Sequence, residues 1–374
     1  MKIAIEAQRI FRPNKHGMDF VALEVIRELQ KLDTENEYYI LTAPGEDHCL
    51  TPTSNFHIVE IKCPSYPLWE QFALPRAIRR IKPDLLHCTS NTAPVFCSVP
   101  LVLTLHDIIF LEKKAGKNSS FYQNMGRYYR RLIVPRIIKH CRKIITVSNF
   151  ECNRIRSFLN LEENRITAIH NGYSQRFQPL EISRTQIQKY LPDEEYLFFL
   201  GNTDPKKNTP RTLKAYSLYL KKSAKRLPLL IADLKEDTID RILHQEQIEE
   251  IKPMLRYPGY IPHTDLPAIY NRASVFLYTS LRESFGIPLL EAMACGTPVI
   301  TSNTSAIPEI AGKDALLINP EKAETIAKVL IELEQNPLLR RKQIDYGLER
   351  VKHFSWQQTA HQLLNVYQDV IQKH

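Results

Sequence analysis

Seven cysteines, an odd number, include no Cys-x-x-Cys pair. That argues against a disulfide framework and against a thiolate zinc site. No apolar run approaches the ~20 residues needed to span a bilayer. The opening Met1-Lys-Ile-Ala-Ile-Glu-Ala7 reads as a strand and not as a leader. Sequence repeats, low-complexity tracts and the usual nucleic-acid-binding motifs are all missing, so no nucleic-acid partner is expected. Ordinary apolar and charged fractions, 43% and 24%, exclude wholesale disorder. These absences describe a protein of a reducing compartment, cytoplasmic or at most peripheral on the inner face of a membrane. Cys88, Cys141 and Cys295 lie in or beside apolar stretches and read as buried thiols.

A chain of 374 residues is normally two domains, each able to bury its own core. Apolar strand-like runs alternate with helical patterns in the first half. They are Ile3–Ala7, Tyr38–Thr42, His57–Ile61, Asp84–Cys88, Leu101–Leu105, Ile144–Val147 and Ile166–Ile169. Helices over Phe20–Leu32 and Trp69–Ile81 lie between them. The pattern breaks near Asn171–Pro179, and a second series runs from Tyr196–Leu200 through Leu229–Ala232, Arg256–Ile261, Val275–Tyr278 and Val299–Ile300 to Ala315–Ile318. Such alternation predicts α/β architecture: two Rossmann-like domains with parallel sheets, facing across a cleft. The boundaries read as 1–175, 176–355 and a C-terminal helix over 356–374 that Ser355 caps. Ser148-Asn-Phe-Glu151 fits a capping box and is assigned to structure alone.

One segment is strongly basic. From Lys113 to Lys143 there are ten Lys and Arg residues and no Asp or Glu. Phe121, Met125, Tyr129, Leu132 and Ile133 recur at helical spacing, with Arg127, Arg130 and Arg131 on another side. An amphipathic basic helix of this kind suits peripheral contact with an anionic membrane. A solvated helix face is an equal reading.

The most informative stretch is Ser280–Thr301, in which seven residues separate Glu283 from Glu291. It leaves an apolar strand, passes Phe285-Gly286-Ile287-Pro288, enters a short helix and exits through Gly296-Thr-Pro298. The segment Ser284-Phe-Gly286 presents backbone N–H groups at a helix N-terminus, where an anion is favoured. Carboxylates cannot hold phosphate but do accept hydrogen bonds from sugar hydroxyls. A phosphate cradle between two hydroxyl-reading carboxylates suits a nucleotide-sugar.

Glu283-x7-Glu291, the Phe285-Gly286-x-Pro288 turn and Glu291-Ala-Met-Ala-Cys-Gly-Thr-Pro-Val299 resemble the donor-site signature of the retaining family-4, or group 1, glycosyltransferases. The match continues through Ser305–Glu309 and Gly312–Pro320. The resemblance implies the GT-B architecture, with a first domain for the acceptor and a second for the nucleotide-sugar donor. By the same resemblance Glu283 holds sugar hydroxyls and Glu291 the ribose. Lys207, with the N–H groups around Ser284, Phe285, Gly286 and Ile287, stabilises the leaving diphosphate. Asn202 stands where relatives often carry arginine, and Lys206 is the neighbour that partly compensates. Tyr260 and Ile261 occupy the place where relatives hold the base. Gly17 belongs to the loop after the first strand, and Asp19 stands at that loop's usual second glycine and reads as an N-cap. His106, in the pair His106-Asp107, matches a histidine near the reacting centre.

No Asp-x-Asp pair occurs in the chain, so lysine and helix dipole replace metal in this reading, and neither cofactor nor metal is expected. The function read from the sequence is retaining transfer of a hexose, mannose among the candidates, from a GDP- or UDP-sugar to a glycan or lipid-linked hydroxyl acceptor. Two rivals stand beside it: a sugar-nucleotide epimerase or hydrolase, and a non-catalytic glycan-binding or scaffold protein of the same fold.

Overall fold

The computed structural model describes residues 1–13, 15, 17–112, 121–191 and 195–372, with backbone alone at 121–124 and 184. Among these residues the chain forms two compact units, Met1–Gly172 with Ser355–His374, and Tyr173–Phe354.

In the first unit the strands are β1 (Lys2–Glu6), β2 (Glu37–Thr42), β3 (Phe56–Glu60), β4 (Leu85–Cys88), β5 (Leu101–Thr104), β6 (Lys143–Thr146) and β7 (Ile166–Ala168). They form one parallel sheet in the order β3-β2-β1-β4-β5-β6-β7. In the second unit β8 (Leu197–Leu200), β9 (Leu229–Ala232), β10 (Leu255–Gly259), β11 (Val275–Tyr278), β12 (Val299–Ser302) and β13 (Leu316–Ile318) pair in the order β10-β9-β8-β11-β12-β13. Each sheet is buried on both faces, which is why its strands read as continuous apolar runs rather than alternating ones. Each order also reverses once, between β1 and β4 and between β8 and β11. Ligands of open α/β sheets bind outside the strand C-termini at such reversals.

Helix α1 (Gly17–Leu32) follows β1, α2 (Phe121–Ile137) precedes β6, α3 (Ile287–Ala294) follows β11 and α4 (Trp356–Gln372) ends the chain. Ser355 Oγ accepts the Gln358 N–H at 3.1 Å, an N-cap for α4. Ser148 likewise accepts from the Glu151 N–H at 3.2 Å. Helix α4 returns to the first unit and packs on α1. There Gly172 lies so close to the returning chain that a Cβ would sit 2.1 Å from the Trp356 nitrogen.

The anchor of α4 is polar. His87 of β4 places Nδ1 2.7 Å from the Tyr367 hydroxyl and Nε2 2.8 Å from the Thr104 hydroxyl. Burial pushes its pKa down to about 3, with His106 adding to the shift. In the unfolded chain the value is 6.5. The neutral imidazole therefore contributes stability that is complete above pH 6.5 and is lost as pH falls toward 3. Tyr367→Phe strands one buried nitrogen of His87. The expected loss is about 1–3 kcal/mol, read as a lower denaturant midpoint at pH 7.

Two expectations need correction. Asp19 is not an N-cap: α1 already begins at Gly17, and Asp19 is buried in its first turn. The apolar stripe predicted on α2 is split. Ile133 is buried and the Tyr129 hydroxyl bonds Glu70, whereas Met125, Tyr128 and Leu132 are 54%, 69% and 54% exposed. Nor do the three arginines make one free face. Arg127 and Arg131 donate to the carbonyls of Glu112 and Leu111, and Arg130 lies 5.6 Å above the Phe110 ring. Helical phase explains the split, because the preceding turn, Ile109–Leu111, covers the arginine side. Of the basic segment, Lys113, Lys114 and Lys117 lie outside the described residues, as does His16 of the α1 loop. No helix among the described residues is long and apolar enough to cross a membrane.

Candidate functional site

In the second unit the loops after β8 and β11 meet. After β8, Asn202 Oδ1 accepts the Asp204 N–H at 2.8 Å and its carbonyl accepts the Thr209 hydroxyl at 2.7 Å. Asn202 therefore shapes the turn. Asn208, left-handed at φ 61°, donates from Nδ2 to the carbonyls of Thr279 and Pro320 at 3.1 and 2.7 Å. These bonds seat the Pro205–Lys207 turn on the end of β11, where the Leu281 N–H donates to the Lys206 carbonyl at 2.7 Å. Lys207 Nζ consequently lies 2.6 Å from Glu283 Oε1. Lys206 remains at the rim, 3.6 Å from Asp204.

Glu283 is fixed on three further sides. Its N–H donates to Ser305 Oγ at 3.0 Å, and its carbonyl accepts the Ala306 N–H at 3.4 Å. The Tyr278 hydroxyl hydrogen-bonds the carboxylate. Burial first, and then the Glu283 charge, hold that phenol far above its usual range. The same ring lies 5.7 Å beneath the Lys207 ammonium. Gly286 explains its own place in the motif. It caps α3 at φ 113°, and a Cβ would meet the Tyr278 ring at 3.3 Å. Phe285 is buried against Phe354 with ring centroids 5.9 Å apart, so Ser284, Gly286 and Ile287 bring backbone to the helix start. The first N–H groups of a helix lack intrahelical partners, which leaves them available to an anion.

Glu291 lies one turn into α3 and is 4% exposed. Its Oε1 is 3.1 Å from His263 Nε2, and Arg176 Nη2 is 3.3 Å from the same nitrogen. Burial raises the Glu291 pKa to about 8, opposed by the Arg176 charge. One imidazole nitrogen cannot both donate to Glu291 and accept from Arg176, so the protonation of Glu291 selects between the two bonds. Tyr260 is 72% exposed beyond β10, while Ile261 is buried and can offer only its backbone.

The first unit holds the other candidates. His106, after β5, is buried and donates through Nε2 to the Thr89 carbonyl at 3.0 Å. That bond fixes the tautomer and leaves the lone pair on Nδ1. Burial lowers its pKa, opposed by the Thr89 carbonyl and the charges of Asp107 and Asp19. Gly17 opens α1 rather than lying in the loop before it, and a Cβ there would meet nothing within 4 Å among the described residues.

Sequence reasoning did not find Tyr278, His263 or Arg176, and it gave Ser305 no role of its own. The first three carry no local signal, since each acts on a glutamate through tertiary contact.

Known proteins give an independent comparison. A family model described as glycosyl transferases group 1 matches residues 183–350, and one described as glycosyltransferase family 4 matches residues 16–175. The chain is similar to the O-antigen chain mannosyltransferase B of Escherichia coli, 32% identical over 227 residues, 60% of each protein. It is also similar to the serotype-specific mannosyltransferase WbdA of the same organism, 26% identical over 81% of this chain and 39% of that one. The chain thus spans less than two thirds of the length of these curated relatives. Among solved structures, sucrose-phosphate synthase of Thermosynechococcus elongatus superposes with a TM-score of 0.76 at 18% identity, covering 100% of both chains. The Anabaena HepE protein, solved with UDP-glucose, gives 0.72 at 14% identity, covering 99% of this chain and 100% of that one. At such identities the likeness establishes the two-domain GT-B fold.

Proposed function

The chain belongs to the group 1, family-4 glycosyltransferases, and from that premise we propose that it transfers a hexosyl group, mannose first among candidates, from a nucleoside diphosphate sugar to a hydroxyl of a growing glycan, with retention at the anomeric carbon. The observation that carries this reading is the Lys207–Glu283 pair at the sheet reversal, 2.6 Å apart. A cation and a hydroxyl acceptor are thereby held side by side at the start of α3.

The chemistry follows from the charges. The bond between the anomeric carbon and the diphosphate oxygen breaks, and charge builds on the phosphate. The Lys207 ammonium and the α3 backbone N–H groups stabilise that charge. Glu283 accepts hydrogen bonds from sugar hydroxyls and Glu291 from the ribose. The acceptor oxygen adds on the same face, and its proton passes to the departing phosphate oxygen. His106, neutral with a free Nδ1, accepts a hydrogen bond from a sugar hydroxyl.

The test is a panel of GDP- and UDP-sugars, first by thermal shift and then by transfer, with product anomers assigned by NMR. A ligand at 100 times its dissociation constant stabilises by roughly 2.7 kcal/mol. Binding without transfer to any acceptor would favour the glycan-binding or scaffold reading, and free sugar or an epimer as product would favour the hydrolase or epimerase.

The exposed side of α2 supports a peripheral membrane contact through only part of the stripe read in the sequence. Met125, Tyr128 and Leu132 are exposed there with Arg136, and Lys139 follows just past the helix end. Each cation near an anionic surface contributes roughly 1 kcal/mol, weakened by salt. Tyr128→Ser/Leu132→Ser and Arg136→Glu/Lys139→Glu should each reduce co-sedimentation with anionic vesicles. A parent that stays in the supernatant at low salt would leave α2 a solvated face.

A further inference from the structure

Two arginines at the sheet reversal of the first unit have no hydrogen-bond acceptor among the described residues. Arg9 follows β1, and Arg130 lies on α2. Both Nε atoms are buried without a hydrogen-bond partner among the described residues. Neither guanidinium forms an ion pair there; each rests on an aromatic ring instead, Arg9 4.9 Å above Tyr66 and Arg130 5.6 Å above Phe110. The two sites adjoin: Tyr66 packs edge-on against Tyr129, the residue before Arg130, at 6.1 Å. Burial lowers the Arg130 pKa first; the Asp107 charge opposes that shift, and the charges of Arg9 and Arg127 add to it.

The nearby acids act on this pair through charge and direct their hydrogen bonds elsewhere. The Asp107 carboxylate accepts the Ile109 N–H at 3.0 Å. Glu6 accepts from the N–H groups of Gln8 and Thr89 at 3.0 and 3.2 Å, and burial raises its pKa to about 7. Glu70 is surrounded by the hydroxyls of Tyr66, Thr92 and Tyr129 and the amide of Gln71. Half-buried guanidinium groups held close together without acceptors are costly unless a ligand supplies the acceptors. A guanidinium fork matches phosphate oxygens two at a time.

We propose that Arg9 and Arg130 form an anion site in the first unit that binds a phosphoryl or pyrophosphoryl group carried by the acceptor. It rests on the glycosyl-transfer reading only for the word acceptor; the anion site stands on the first unit alone. Among the described residues neither guanidinium makes a hydrogen bond that the phosphate would have to displace, and Tyr66 and Phe110 would hold both planes in place for it.

Inorganic pyrophosphate is the probe, titrated calorimetrically into Lys207→Ala so that the second unit's lysine does not contribute. Binding is expected, weakened at least about tenfold by adding Arg9→Gln/Arg130→Gln. Because neither guanidinium has a hydrogen-bond acceptor among the described residues, the thermal midpoint of that variant should be little changed. If it fails to fold, Arg9→Lys/Arg130→Lys decides, since it keeps the charge and loses the fork: weakened binding supports the site and unchanged binding overturns it. Absence of pyrophosphate binding in Lys207→Ala, or equal binding after the arginine changes, also overturns it. Loss of the donor reading would show separately, as pyrophosphate affinity in the parent indifferent to Lys207→Ala. A hexose 1-phosphate in solution and an alkyl pyrophosphate in zwitterionic vesicles then distinguish a soluble from a lipid-linked source.

Discussion

Lys207→Ala is expected to lower kcat by about 10²–10³-fold while changing donor affinity far less. An interaction that strengthens as the diphosphate departs acts on the transition state more than on the bound donor. The surroundings of Lys207 sharpen the prediction. Its ammonium is already paired with Glu283 and seated over Tyr278, so it is held in place before the donor arrives. The substitution also leaves Glu283 without its cation, and Lys207→Arg, with a longer planar fork, should restore activity only in part. Single-turnover rates and calorimetric donor affinities on the same preparations check both halves. A normal turnover rate in the alanine variant would remove Lys207 from the reaction.

Glu291→Ala should act in the opposite sense, on binding. Replacing a buried carboxylate that accepts ribose hydroxyls leaves those donors unpaired, at about 1–3 kcal/mol, or 5–150-fold in donor affinity. Its pKa adds a pH signature. Burial lifts the value from 4.5 to about 8. The group therefore favours the folded state fully below pH 4.5, and that contribution is lost as pH rises through 8. The ionised form is the better acceptor for two hydroxyls, so donor affinity should rise between pH 7 and 9. Glu291→Gln should flatten that rise. A pH-independent parent, or an alanine variant of equal affinity, would sink the ribose role.

The sheets were legible because parallel strands buried on both faces leave continuous apolar runs such as Leu101–Leu105, and all thirteen runs match strands within a residue or two. The region Ser280–Thr301 was legible because its demands are local. Gly286 must be left-handed, and Pro288 opens a helix. What surrounds the two glutamates was not legible. Tyr278 looked like one more strand residue, and His263 and Arg176 reach Glu291 from distant loops. Spacing cannot report such approaches. The basic segment misled for a related reason. Counting charges says nothing about which arginines the preceding turn will cover, and Arg127 and Arg131 are bonded to its carbonyls.

The close approach of Gly172 to Trp356 has a topological consequence. The chain leaves the first unit and re-enters it at one spot, so residues 173–354 are an insertion whose ends lie together. Excising them and joining Gly172 to Ser355 through a few glycines should close almost no loop entropy. The first unit would become a single continuous protein with α4 still docked on α1, and the removed piece a second one. Gly172→Ala, by contrast, would drive a methyl into the Trp356 backbone and disturb the spot where the two passages of the chain touch.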